Sequence, residues 1–168
     1  MDVKTTLREQ MQAMHGTLEA AVADCNPEAV ARKLPGSTIN SIGAIYAHTI
    51  FSEDGILNSM IRGQAPVYMK DGWAPKIGIE MPQGGMEPDW YIKMDLPLFR
   101  EYAAAVYKTT DEYLSSATDA DLDKPNTGSM AKHAPNVASV FLLVCNHDLM
   151  HAGQFTVVRR KLGKPVIF

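Results

Sequence analysis

The chain has 168 residues, 46% of them hydrophobic, with 16 basic residues against 19 acidic ones and a net charge of −3. This length suits one domain with a sizeable core, and the balance of charge leaves no electrostatic footprint for nucleic acid or an anionic membrane. Two cysteines, Cys25 and Cys145, make neither a disulfide framework nor a Cys-x-x-Cys metal motif.

The N-terminus opens directly into an amphipathic pattern, without the apolar run of a signal peptide. No stretch approaches a membrane span, so a reduced cytoplasmic setting is the default expectation. The first predicted helix runs from about Asp2 to Asp24, with Val3, Leu7, Met11, Met14, Leu18 and Val22 on its inner stripe. His15 falls beside that stripe, near the polar edge, and reads as a surface or boundary residue. Asn26-Pro27 stops the helix, and Pro27 starts a short turn that reaches Arg32. The second helix spans about Ser41 to Arg62, capped by Asn40 or Ser41 and followed by Gly63. His48 lies on it among small neighbours, Ala44, Ser52 and Gly55, which let another helix come close.

Residues 63–94 are rich in Pro and Gly and also hold Trp73, Trp90, Tyr68 and Tyr91. A disordered linker would not carry so many large apolar groups. The segment is expected to be an ordered, irregular crossover packed on the bundle. Trp73 or Trp90 would help wall a cavity leading to the bundle end near His48, or the segment would only cover the far side of the bundle. A crossover this long permits the helices on either side to run parallel. The third helix extends from Asp95, an N-cap with Pro97 in the first turn, to about Ala117; its inner face is Leu98, Phe99, Tyr102, Val106, Thr109 or Thr110, and Tyr113. A turn at 119–123 and a loop at 125–135, carrying His133, precede the fourth helix. That helix runs from Asn136 to Leu162 and stops before Gly163-Lys164-Pro165. No segment alternates with period two, so the class is all-α, a single domain over 1–168.

The chemistry concentrates in the fourth helix. Val137, Val140, Phe141, Val144, His147, His151, Phe155, Val158 and Leu162 follow one another in steps of three and four. Residues four apart stack on one face, so both imidazoles point the same way. Buried imidazoles need partners for their nitrogens, and a divalent metal supplies one to each ring. The pair alone also fits a hydrogen-bonded core histidine beside a boundary one. His48 is the candidate third ligand. Three neutral nitrogens would leave coordination positions open, as in catalytic rather than closed structural sites.

These residues resemble a family. Ser41-Ile42-Gly43 followed by His48, and later His147-Asp148-Leu149-Met150-His151-Ala152-Gly153-Gln154, look like the DinB/YfiT-like superfamily, over nearly the whole chain with 63–94 least comparable. The resemblance implies a four-helix bundle with up-down-down-up connectivity, frequently a homodimer. It maps the metal triad onto His48, His147 and His151, for nickel, zinc, iron or manganese. It also implies relatives that are thiol-dependent transferases or isomerases, alongside many with no known activity and a link to the damage response. A zincin reading of His-Asp-x-x-His fails for want of a downstream third ligand. A di-iron bundle would need Glu three residues before a His, and none of the five has it.

An open three-histidine site can make a thiol or a water nucleophilic near pH 7 without a protein cysteine. Asp148 and Gln154 are candidates to orient ligands or substrate, and Glu53 and Asp54 to lie near the site; each also fits a solvated position or an interhelical hydrogen bond. Three functions follow: a metal-dependent transferase or hydrolase acting on a small molecule, with a low-molecular-weight thiol as partner; a metal-binding stress or regulatory protein without turnover; or a helical interaction module. Apolar residues outside the stripes, among them Met60, Met69, Tyr91 and the tail Val166-Ile167-Phe168, add to the expectation of a homodimer.

Overall fold

The computed structural model describes residues 2–81 and 94–167. Four long helices dominate: α1 (Val3–Val22), α3 (Ile42–Glu53), α6 (Leu96–Ser116) and α8 (Val137–Lys161). Four short ones connect them: α2 (Pro27–Ala31), α4 (Val67–Lys70), α5 (Ala74–Ile77) and α7 (Asp119–Leu122). Each long helix begins on a side chain that accepts an otherwise unpaired backbone N–H. Asp2 takes Thr5 N at 2.7 Å, Ser41 takes Ala44 N at 3.2 Å, Asp95 takes Leu98 N at 3.2 Å and Asn136 takes Ser139 N at 2.9 Å. Ser41, not Asn40, is therefore the cap of α3. No strand occurs among the described residues, and no described helix is long and apolar enough to cross a membrane.

Side-chain pairs fix the topology. Arg8 meets Asp111 and Glu19 meets Arg100, so α1 and α6 are antiparallel. Tyr46 reaches Glu19 and Glu53 reaches His15, so α1 and α3 are antiparallel as well. Met11 touches Cys145 and Asp24 holds Arg159, so α1 and α8 are parallel. The result is an up-down-down-up four-helix bundle in which α1 and α3 stand diagonally, each packed between α6 and α8. The core along α3 and α6 is aromatic: Phe51, Phe99 and Tyr102 contact one another with ring centroids 5.4–5.6 Å apart. Such pairs add about 0.5–1.5 kcal/mol each beyond the area they bury.

Helix α3 does not continue as an α-helix to Arg62, as the periodicity predicts. It changes to a π-helical stretch over Asp54–Ile61, a wider coil that is uncommon and found at functional sites. The change falls between two consecutive acids, Glu53 and Asp54, both fully buried. Asp54 accepts from Val67 N (2.8 Å), Tyr68 N (3.0 Å), Asn58 Nδ2 (2.7 Å) and the Tyr102 hydroxyl (2.7 Å). It thereby caps the start of α4 and ties the crossover to the bundle. The crossover is less irregular than expected, since it contains α4 and α5. Trp73, half-buried, packs against Tyr102 with ring centroids 5.9 Å apart. Trp90, Tyr91 and the other residues of 82–93, like Phe168 of the tail, lie outside the described residues.

Candidate metal centre

Helices α3 and α8 bring His48, His147 and His151 together. Their candidate ligand atoms all lie within 4.8 Å of one another. Nε2 of His147 is 2.9 Å from Nε2 of His48 and 3.2 Å from Nε2 of His151. Nitrogens that share one ion at roughly 2.0–2.1 Å, about 90–110° apart, are separated by about 2.9–3.4 Å. Both spacings from His147 fit that demand. His151 is 5% exposed, while the side chain of His147 is 25% exposed, so the cluster borders solvent.

The far side of two rings is also organised. His147 Nδ1 lies 3.2 Å from Asp148 Oδ1, and His151 Nδ1 lies 2.8 Å from Gln154 Oε1. Gln154 Oε1 accepts, so His151 Nδ1 carries the ring proton and its Nε2 keeps its lone pair; with a cation at the cluster, an ionised Asp148 would hold His147 in the same form. Lone pairs facing each other at 3.2 Å without a proton between them repel, and a cation removes the repulsion. Burial, the larger cause for both, shifts the two imidazoles below the usual histidine range and favours the neutral, ligating form. Asp148 is fully buried and its Oδ2 finds no hydrogen-bond partner among the described residues. Burial first, and the nearby Glu53 second, push its carboxyl well above the usual range. A cation beyond the His147 ring would supply the counter-charge that favours the ionised form of this buried group. The donor set therefore fits a divalent metal.

The other expected residues go elsewhere. Glu53 turns into the bundle, where its carboxylate meets His15 Nε2 at 3.0 Å and accepts from the Thr110 hydroxyl at 2.5 Å. Asp54 serves α4 and Tyr102, as above. His15 is no surface residue. It is 9% exposed, and its ring stacks on Tyr107 with centroids 3.8 Å apart. Two signals in the sequence pointed there: His15 follows Met11 by four residues and precedes Leu18 by three, and Glu53 sits in an apolar run where an acid needs a partner. His133 stays in an exposed loop. Cys145 is a buried thiol against Met11, 3.2 Å from sulfur to sulfur.

Residues 5–155 match a family model described as the DinB superfamily. A crystal structure described as the conserved protein of a locus from Enterococcus faecalis aligns over 98% of this chain and 99% of its own, with a TM-score of 0.77 at 20% identity. At that identity the likeness speaks for the fold. No curated protein matches the chain.

Proposed function

The chain belongs to the DinB superfamily, and from that premise we propose that His48, His147 and His151 hold one divalent cation at an open site where a small molecule undergoes a transferase or hydrolase reaction, with a low-molecular-weight thiol as co-substrate. The observation that carries this is the convergence of three Nε2 atoms while Asp148 and Gln154 back two of the rings from behind. When bound, the ion supplies Lewis acidity, which makes a thiol or a water nucleophilic near neutral pH. Three imidazoles suit nickel, zinc or iron better than manganese, which prefers oxygen donors. Asp148 and Gln154 hold the ring orientations, and the partly exposed His147 keeps the centre reachable. Cys145 is no nucleophile, because burial pushes its thiol up to about 12. A second reading, a metal-binding stress or regulatory protein without turnover, is favoured by the inward turn of Glu53, Asp54 and Asp148, which leaves these acids unavailable as a base on the open side.

Metal analysis of protein purified without a histidine tag tests the centre. One ion per chain is expected. Alanine at any of the three positions should cut affinity sharply, and binding should weaken as pH falls, because protonated imidazole does not ligate. With His147 and His151 shifted down, that loss should come below the pH of about 6.5 at which free histidine titrates. A metal-free preparation that takes up no nickel, zinc or iron would end the proposal. Turnover of an electrophile with a panel of thiols decides between the two readings.

A further inference from the structure

The two helices that carry the triad share an unusual surface. From Ser41 to Ile61 the only charged residues are Glu53 and Asp54, and from Asn136 to Val158 the only one is Asp148. All three are fully buried. A chain that is 21% charged overall therefore shows no exposed charge on either helix around the histidines. Helix α3 is buried over most of its length, which accounts for its lack of exposed charge; α8 instead exposes Leu142, Asn146, Leu149, Met150, Gly153 and Val157, where a surface helix ordinarily turns charged residues to solvent.

Small and apolar groups take their place. Met150 is 59% exposed, and Leu143 is half-buried. They stand three residues after and four before His147, on its side of α8. On α3, Ser52 follows His48 by four residues, and in the π-helical stretch beyond it a Cβ added at Gly55 would meet nothing within 4 Å. Recognition of a carboxylate or phosphate calls for an arginine fork or a lysine, and neither helix offers one here. Among the described residues of these two helices, a charged group brought against this face finds no partner to replace the water it loses, which is costly.

Resting on the three-histidine reading, we infer that the ligand meeting this centre is an uncharged molecule with an apolar body, a neutral thiol or neutral electrophile rather than one that carries carboxylates, phosphates or an ammonium group. The face selects by desolvation: it admits what gives up little on leaving water and turns away what gives up much.

The test uses three small probes with the same four-carbon body and different charge: butyramide, butyrate and butylammonium. Amide NMR signals of Ser52, Gly55, Asn146, Met150 and Gly153 are followed at about pH 8, where the imidazoles are neutral. In metal-free protein, butyramide should shift these signals at roughly tenfold lower concentration than either ion. Met150→Lys, at an exposed position, should move the preference about tenfold toward butyrate and leave zinc stoichiometry unchanged. Equal or tighter butyrate binding to the unaltered protein, no response to butyramide, or no change of preference in Met150→Lys would overturn the inference. Signals that change with protein concentration and ignore butyramide would show a second copy on this face, which overturns it as well. Zinc calorimetry on the same samples separates the two ideas. Zinc binding without the charge preference sinks this inference alone; the preference without zinc binding sinks the metal centre alone.

Discussion

Glu53 lies buried at the centre of the bundle, and its carboxyl oxygens are satisfied by two side chains from other helices, His15 and Thr110. Removing one partner of a buried hydrogen-bonded group costs about 1–3 kcal/mol, because the other is left unsatisfied. His15→Ala should therefore lower stability to chemical denaturation by about that amount. It should also leave metal stoichiometry unchanged, since His15 is outside the triad; a folded His15→Ala protein that had lost its metal would contradict the ligand assignment. The contrast between His15 and the triad shows what a sequence can reveal at this scale. His147 and His151 declared themselves by local spacing, and His48 by a helix with small neighbours. The spacing of His15 to Met11 and Leu18 hinted at its burial, but not at which partners meet it: Glu53 and Tyr107 are brought up by helices distant in the chain. Asp148 was legible only as a possibility: its neighbour His147 is half-buried, and one residue of difference on a helix turns it fully inward.

The elements were legible where a cap marked their start. Asp95 caps α6 as the sequence reading has it, and Asp2 and Asn136, near where the first and fourth helices were expected to begin, cap α1 and α8. Helices α4 and α5 were not, because four residues are too few to show a 3.6-residue period and α4 is capped by Asp54 from 13 residues back. The π-helical stretch was hidden too, since its apolar residues also fit an α-helical stripe. At the other end of the bundle, Arg159 joins α8 to the end of α1. Its guanidinium, 4% exposed, donates to Asp24 through Nη1 (2.5 Å) and Nη2 (3.1 Å) and to the Ala21 carbonyl at 2.8 Å. The Arg159 hydrogen bond is the main cause that lowers the Asp24 carboxyl from 3.8 to about 2. The unfolded chain then binds the proton more readily than the folded one, so this contribution is complete above about pH 4 and disappears as pH falls toward 2. Asp24→Asn should be less stable than the unaltered chain near pH 6. The gap should close between pH 4 and 2 in parallel denaturant titrations; a gap that stayed constant would mean the carboxylate charge plays no part.

For the whole molecule, periodicity reveals which side of each helix is buried but not which neighbour buries it. Four helices were therefore readable from the residues, while their up-down-down-up order entered through family resemblance and is fixed in the structure by pairs such as Arg8–Asp111 and Asp24–Arg159. A homodimer remains an expectation of the same resemblance. Light scattering at high concentration should give twice the chain mass of 18.4 kDa, and a value of one chain mass would dismiss it. The parallel course of α1 and α8 has a mechanical meaning. Val3 and Lys161 stand at opposite ends of the bundle, separated by roughly the length of α8, 25 residues or about 37 Å. A circular permutation would have to bridge that distance with at least about 11 residues. Tension applied at these two points would pull α1 and α8 in opposite directions along their shared seam, loading every contact between them at once instead of peeling them apart one by one.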